Sequence, residues 1–165
     1  MAQPIFTDEH ESTDFKICHD RVELRTQKRV QFIDITELVL ERVRRAGISH
    51  GVVNIQTKHT TTAVVLNENE PHLLRDFEER LDVWAPREGS YRHNNLEARR
   101  FQQISADEKP NGDAHARALI LGASETMNVI ASHVELGEWQ RIFFVELDGP
   151  RPRKVSILAM GTSVV

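Results

Sequence analysis

The chain has 165 residues and a formal net charge of −4. That length fits one domain with a sizeable core, and the charge argues against a general nucleic-acid-binding surface. No run of 18 apolar residues occurs and the first ten residues are polar and acidic, so we expect no membrane span, no secretory signal and a cytoplasmic protein. The single cysteine, Cys18, excludes an internal disulfide and a cysteine-based zinc cluster within one chain.

The N-terminal half shows strand patterns around one helical pattern. Residues 1–14 are expected to be loosely ordered. Alternating apolar residues predict strands at 15–24 and 29–34, joined as a hairpin, and a change of parity in the first suggests a bulge or a twist. Thr36 as N-cap, apolar residues at helical spacing and Gly47 as a stop predict one amphipathic helix. Two more strands are predicted at 51–57 and 63–66, the second with polar clusters at both ends.

The C-terminal half adds two helices and a strand-rich end. Pro71 and the apolar spacing up to Trp84 predict the second helix, and Asn111 opens a third that Gly122 ends. Between them lies a polar connection, partly helical from 96 to 104, whose length marks it as functional or mobile. Four further strand patterns suggest a meander, at 126–131, 134–136, 139–146 and 155–160. Seven or eight strands with about three helices and no strict βαβ alternation predict a single-domain α+β fold with a largely antiparallel sheet.

Three histidines are the first candidates for chemistry. His59, His93 and His115 each lie at the edge of a predicted element beside Thr, Asn or Asp. Three neutral imidazoles from separate loops can hold a divalent transition metal such as Zn²⁺ with one position open, and Asp113 could orient a ring. Their spacing is not a motif, so capping of strands and helices by hydrogen bonds is the alternative.

Carboxylates and arginines suggest a phosphate site. Glu68, at the end of a buried strand, supplies a hard oxygen ligand that suits Mg²⁺ bound together with a substrate phosphate. Four arginines could bind such a phosphate. Two of them, Arg151 and Arg153, lie in the predicted turn at 148–153, for which a solvated hairpin tip is the alternative interpretation. The four arginines are Arg92, Arg117, Arg151 and Arg153. Gln140, beside Trp139, either fixes buried polar groups or lines a pocket.

Taken together, the motifs resemble the YjbQ family, whose members are described as secondary thiamine-phosphate synthase enzymes. The resemblance covers about residues 15–155. Its motifs, in chain order, are His59-Thr60-Thr61-x-Ala63, Asn67-Glu68-Asn69, Leu74-x-Asp76, Tyr91-x-His93-Asn94, Asp113-Ala114-His115, Leu119-x-x-Gly122, Leu136-Gly137-x-Trp139-Gln140 and Glu146-x-Asp148-Gly149-Pro150-Arg151.

The resemblance implies a compact α+β fold, a homotrimer and a pocket near the subunit boundaries. The implied reaction joins a hydroxymethylpyrimidine diphosphate to a thiazole phosphate with loss of pyrophosphate, as a weak or secondary activity, and needs a divalent cation and arginines on the leaving group. The implied catalytic residues are His59, Glu68, Asp76, Asp113 and His115. The implied substrate-binding residues are Thr60, Thr61, Asn67, Arg117, Trp139, Gln140 and Arg151.

Two alternatives to an enzyme stay open. One is a non-catalytic trimeric module that binds a metal or a small anion in the same pocket, and the other is a structural trimer whose polar motifs satisfy a buried interface. A geometric constraint also applies, because His59 and Glu68 lie at opposite ends of a strand and would be separated by roughly 25 Å. Glu68 therefore either serves structure or reaches the pocket of a neighbouring subunit.

Overall fold

Two antiparallel sheets organise the chain in the computed structural model, which describes residues 14–102 and 109–163. The first, sheet A, has five strands in the order β1-β8-β3-β5-β6, and the second, sheet B, has three in the order β2-β7-β4. The strands are β1 (Asp14–Arg25), β2 (Gln31–Asp34), β3 (His50–Thr57), β4 (Thr62–Asn67), β5 (Ser124–Ile130), β6 (His133–Val134), β7 (Arg141–Glu146) and β8 (Pro152–Ser163). The helices are α1 (Thr36–Ala46), α2 (Pro71–Trp84) and α3 (Gly112–Leu121), with a short 3₁₀ helix at Arg92–Asn94. The predicted α+β class is confirmed.

Sheet B is buried on both faces, which explains its continuous apolar sequence. One face, with Val64 and Phe144, packs with α1 against the inner face of sheet A. The other face, with Ala63 and Phe143, is covered by residues of α2 and α3. Alternate residues of β4 and β7 therefore enter two different cores, and the polar clusters that flank these strands lie at the two ends of the sheet.

The helix boundaries follow local chemistry. The Glu70 side chain accepts hydrogen bonds from the backbone N–H groups of His72 and Leu73, and Pro71 occupies the first turn of α2. Gly47 adopts a left-handed conformation, with φ of 65°, at the end of α1. The prediction of Thr36 as an N-cap is wrong, because Thr36 is already helical and its N–H and hydroxyl both donate to Asp34 Oδ1.

The predicted hairpin between the first two strands is also wrong. Strand β1 pairs with β8 in sheet A, whereas β2 pairs with β7 in sheet B. Thr26 redirects the chain between the sheets, since its hydroxyl donates to Glu146 and its N–H to the Arg151 carbonyl. Nor does β1 contain a bulge, because it pairs with β8 without interruption from Asp14 to Arg25. Its parity change arises because two apolar residues of its outer face, Phe15 and Ile17, are 66% and 64% exposed.

The C-terminal strands do not form a meander. Only β5 and β6 pair as neighbours in sequence, whereas β7 pairs with β2 and β4, and β8 pairs with β1 and β3. The turn at Asp148–Arg151 therefore carries the chain from sheet B to sheet A. Residues 96–101, part of the connection expected to be partly helical, form hydrogen-bonded turns, and residues 103–108 lie outside the described residues, as do residues 1–13 of the expected loose N-terminal segment. Across residues 14–102 and 109–163, no helix has the length and apolar character needed to cross a membrane.

Candidate functional site

A cavity of about 1070 Å³ lies at one end of sheet B. Because β7 runs antiparallel to both its neighbours, the end of β7 meets the beginnings of β2 and β4, and Glu146 faces both Gln31 and Thr62. The cavity is therefore surrounded by the segment before β2, the segment between β3 and β4 and the β7–β8 turn. Its described lining includes five arginines, two lysines, three histidines and one aspartate. This composition favours anionic ligands.

A buried ion pair stabilises the wall of the cavity. Glu146 is 0% exposed and Arg153 is 4% exposed. The Arg153 Nε donates to Glu146 Oε2 at 2.6 Å, and its Nη2 donates to the other carboxylate oxygen and to the Thr61 hydroxyl. The Glu146 carboxylate also accepts hydrogen bonds from the backbone N–H groups of Leu147 and Asp148. Full pairing of this kind is what allows a charged pair to remain buried.

A second ion-pair network links α3 to the β7–β8 turn. Arg29 donates from Nη2 to both carboxylate oxygens of Asp113 at 2.9 Å and from Nη1 to Asp148 at 3.1 Å. Asp148 also accepts from Arg151 at 2.8 Å and from the Asn111 amide nitrogen at 3.0 Å. Both aspartates are buried, at 1% and 3% exposure. Three arginines and three carboxylates of the two networks therefore neutralise one another.

His59 accepts a hydrogen bond that fixes the tautomer of its neutral ring. Its Nε2 accepts the backbone N–H of Lys154 at 2.8 Å, so in the neutral ring the proton lies on Nδ1. Burial is the main cause that lowers the pKa of His59, and the charges of Arg153, Arg151 and Lys154 lower it further, against an opposing effect of Glu146. A neutral ring with a fixed tautomer can donate a hydrogen bond from Nδ1 but has no free lone pair on Nε2.

The pH dependence of folding is expected to report this neutral state. Because the folded pKa of His59 lies below the ordinary value of 6.5, its stabilising effect is complete above about pH 6.5 and is lost as the pH falls through the folded pKa. In His59→Gln, the free energy of unfolding should therefore fall less steeply between about pH 7 and about pH 5 than in the wild type. Urea unfolding at a series of pH values measures this slope.

His72→Gln is the matched control, because His72 is exposed on α2 and lies outside the cavity lining. Its slope should differ from that of the wild type by less than the His59→Gln slope does. Equal slopes for His59→Gln and the wild type would contradict the assignment of a neutral, partly buried His59.

His93 and His115 lie against each other at the cavity. Their ring centroids are 4.5 Å apart in an edge-to-face arrangement, and both line the cavity with His59. His93 belongs to the 3₁₀ helix and His115 to the first turn of α3, and the Asn94 side chain joins the two elements by accepting the N–H of Gly112 at 2.9 Å. Close packing of short elements therefore brings together histidines that are far apart in the sequence.

As arranged, the three imidazoles do not fit a metal centre. Within residues 14–102 and 109–163, no group of three or more His, Cys, Asp or Glu side chains is placed to hold a metal ion. The Nε2 of His59 is already engaged by Lys154, and a ring with its proton on Nδ1 offers no second lone pair. Asp113 is also engaged, since both of its carboxylate oxygens accept from Arg29.

Several of the other residues proposed for the site from the sequence lie elsewhere. Glu68 and Trp139 border a smaller pocket of about 430 Å³ with Asp34, Glu70 and Arg141. Because Glu68 follows the end of β4 and His59 precedes its beginning, this pocket lies at the opposite end of sheet B from the cavity.

Some of the remaining proposed residues line the cavity, and the others lie outside both pockets. Thr60, Thr61 and Arg151 line the cavity. Asp76 is exposed on α2, the Asn67 side chain accepts the N–H of Glu68, and that of Gln140 accepts the N–H of Gly137. Arg117 is buried and connects α3 to the end of α2 by donating to the Ala85 carbonyl.

Five cationic lining residues were not assigned to the site from the sequence. Two of them had a local signal, since Lys58 directly precedes His59 and Arg87 follows the end of α2 near the Tyr91-x-His93 motif. Arg29 had none, because the carboxylates it binds lie 84 and 119 positions further along the chain. The five are Arg29, Lys58, Arg87, Arg99 and Lys109.

The fold and the cavity place the chain in a class of α+β proteins with two antiparallel sheets. In this chain a basic, histidine-lined cavity lies at one end of the smaller sheet. The family described as UPF0047 protein YjbQ-like matches residues 20–162, and the chain belongs to this family. A UPF0047 protein of Methanothermobacter thermautotrophicus is 41% identical over 138 residues, covering 84% of this chain and 88% of that protein. The UPF0047 protein YugU of Bacillus subtilis is 33% identical over 141 residues, covering 85% and 97%.

Solved structures support the same relationship. The crystal structure of a YbjQ-like protein from Sulfolobus solfataricus superimposes with a TM-score of 0.80 at 31% identity, covering 90% of this chain and 99% of that chain. A protein from Aeropyrum pernix gives a TM-score of 0.76 at 34% identity, covering 87% and 98%. The expected membership of the YjbQ family is thus confirmed.

Proposed function

We propose that the basic cavity is the active site of an enzyme whose substrates carry phosphate groups. The observation that carries the proposal is the concentration of seven Lys or Arg residues and three histidines, with one aspartate, on a single cavity of a chain that is acidic overall. The activity to test first is the one that the sequence resemblance implies. It is a transferase reaction that joins a hydroxymethylpyrimidine diphosphate to a thiazole phosphate, as a weak or secondary activity.

The cavity's cations suit this reaction. The thiazole nitrogen uses its lone pair to form the new N–C bond, the C–O bond to the diphosphate breaks, and its electron pair leaves with pyrophosphate. Negative charge grows on the leaving oxygens, and positive groups already in place stabilise it. Lys58 and Arg87 line the cavity and make no ion pair within the described part of the chain, so they are available to the diphosphate.

The histidines supply hydrogen bonds in this scheme. The attacking nitrogen has no proton to lose, so the bond-forming step needs no general base on the nucleophile. His59 would donate from Nδ1, and His115 lines the same cavity from the first turn of α3. A divalent cation, where one is needed, would enter with the substrate diphosphate, as Mg²⁺ commonly does.

Pyrophosphate release tests the proposed reaction. Purified protein with Mg²⁺ and both substrates should release pyrophosphate above background, and His115→Ala should lower the rate at least about tenfold through the loss of a stabilising hydrogen bond. His72→Ala is the matched control and should keep the wild-type rate, since His72 lies outside the cavity lining. No release by the wild type, or an unchanged rate in His115→Ala, would overturn the reaction.

Further measurements on the same samples distinguish an enzyme from a non-catalytic module that binds an anion or a metal. Metal analysis of the purified protein and a comparison of rates with and without Mg²⁺ show whether a metal is needed for turnover. A rise in melting temperature on adding pyrophosphate, without turnover, would favour the binding module, because binding to the native state alone stabilises it.

We also propose the homotrimer that the resemblance implies. Its support is the outer face of sheet A, where the exposed Phe15 and Ile17 lie opposite Thr162 and Met160 of β8. Exposed apolar side chains grouped on a sheet face mark contact surfaces between proteins. Sedimentation equilibrium should give three times the mass of the chain, and a monomer mass would contradict this assembly.

A further inference from the structure

The cavity offers charges and hydrogen bonds but little apolar surface. Its described lining contains no Phe, Tyr, Trp, Leu, Ile, Val or Met, and Gly149 and Pro150 are its only members without a polar side chain. Small-molecule pockets ordinarily bury the ring or chain of a ligand against apolar and aromatic side chains. An aromatic ring would find only imidazole and guanidinium planes here, so most of the binding must come from polar groups of the ligand.

The charge of the cavity sets the charge of the ligand. Arg29, Arg151 and Arg153 are balanced by Asp113, Asp148 and Glu146, as described above. Three further lining cations have no carboxylate partner among the described residues, namely Lys58, Arg87 and Lys109. A phosphate monoester carries about −1.5 to −2 at neutral pH. Two phosphate groups, rather than one, match this excess of positive charge.

Two buried polar atoms indicate hydroxyl groups on the ligand. Asn111 Oδ1 and His93 Nε2 have no hydrogen-bond partner among the described residues, although both side chains line the cavity. The Asn111 amide cannot be reversed, because its nitrogen donates to the Asp148 carboxylate. Its oxygen therefore needs a donor, which an ionised phosphate does not offer and a hydroxyl does. Both atoms are shielded from solvent, so a ligand hydroxyl reaches them only if each side chain rotates toward the cavity.

From these three observations we infer that the physiological ligand of the cavity is a non-aromatic, hydroxylated molecule with two phosphate groups, of the sugar bisphosphate type. The inference rests on the proposed function, because it takes the same cavity as the substrate site. Thiamine-phosphate synthesis is then a secondary use, in which the diphosphate is recognised and the rings contribute little.

Calorimetric titration of the full chain tests the inference with four probes: orthophosphate, inorganic pyrophosphate, fructose 1,6-bisphosphate and hydroxymethylpyrimidine diphosphate. Fructose 1,6-bisphosphate should bind at least about fivefold more tightly than pyrophosphate, because its hydroxyl groups can donate to Asn111 Oδ1 and can pair with His93 Nε2 in either tautomer. Hydroxymethylpyrimidine diphosphate should bind within about threefold of pyrophosphate, because the ring buries little apolar surface. Orthophosphate should bind most weakly.

Two outcomes would overturn the inference. One is a hydroxymethylpyrimidine diphosphate affinity at least about tenfold above that of pyrophosphate, which would show that the site recognises the ring. The other is a fructose 1,6-bisphosphate affinity no higher than that of pyrophosphate. Both are binding measurements, so they are distinct from an absence of pyrophosphate release, which would overturn only the proposed reaction.

Variants show whether the probes bind in the cavity. Arg87→Gln should weaken pyrophosphate and fructose 1,6-bisphosphate binding about tenfold each, the effect of losing one charge-assisted contact. Arg75→Gln is the matched control, because Arg75 is exposed on α2 outside the cavity, and it should bind as the wild type does. Equal losses in the two variants would place the binding elsewhere and overturn the inference.

Discussion

Replacement of Arg153 by Met is expected to lower the free energy of unfolding by about 3–5 kcal/mol, the usual cost of leaving one member of a buried ion pair without its partner. Arg153 makes two hydrogen bonds to Glu146, which is fully buried, and a third to Thr61. Met fills a similar volume without charge, so the loss reports mainly the uncompensated carboxylate. Urea unfolding at neutral pH measures the loss of stability. The slope of the unfolding free energy against urea concentration should be the same in the variant and the wild type.

The double variant makes this expectation sharper. Adding Glu146→Gln to Arg153→Met removes the stranded charge, so part of the lost stability should return, and the two changes should be strongly non-additive. Lys154→Met is the matched control, since the Lys154 side chain is exposed and its ion pair among the described residues is with Glu23, at 3.5 Å. It should change stability by no more than about 1 kcal/mol. Similar effects for Arg153→Met and Lys154→Met would contradict a dominant role for the buried pair.

Arg29→Met is expected to cost about 2–3 kcal/mol, somewhat less than a fully buried pair because the Arg29 side chain is 25% exposed. Within residues 14–102 and 109–163, the variant leaves Asp113 with one cation, Arg117 at 3.9 Å, and removes one of the two cations that pair with Asp148. Because Arg29 joins α3 to the β7–β8 turn, the change should also weaken pyrophosphate binding in the cavity. Urea unfolding and calorimetric titration measure the two effects.

Arg44→Met provides the comparison for Arg29→Met. Arg44 pairs with Glu41 on the exposed surface of α1, where an ion pair of this kind contributes about 0.3–0.5 kcal/mol. Its removal should leave pyrophosphate affinity unchanged. A loss of stability in Arg29→Met no larger than that in Arg44→Met would show that the network does not stabilise the cavity.

Local patterns in the sequence were sufficient for most elements but not for their pairing. The apolar run from Ala63 to Leu66 predicts a buried strand, and in the structure its residues pack into both cores. The placement of β2 could not be predicted, because it depends on Thr26, which contacts Glu146 and the Arg151 carbonyl from 120 and 125 positions away. Such contacts leave no periodic signal, and a hairpin is the default interpretation of two adjacent strand patterns.

The same distinction applies to the candidate site. The motifs around His59, His93 and His115 could be read from the sequence, and all three histidines line the cavity. Glu68 belongs to the same motif-rich stretch as His59, yet β4 separates the two residues and places them at opposite ends of sheet B. The partners of Arg29 and Arg153 depend on tertiary packing alone. Sequence reasoning therefore found the histidines and missed most of the cations.

The two ends of sheet B differ in charge, and this difference affects how fast a ligand arrives. The cavity end carries lysines and arginines, whereas the pocket at the other end is bordered by Asp34, Glu68, Glu70 and Glu138 with one arginine. An anion approaching this acidic protein is repelled from one end of the strands and drawn toward the other, so its diffusion is biased before any contact forms. Association should therefore slow as salt is added, because the Debye length shortens from about 30 Å at 0.01 M to about 8 Å at 0.15 M ionic strength. Dissociation, which depends on contacts inside the cavity, should respond much less.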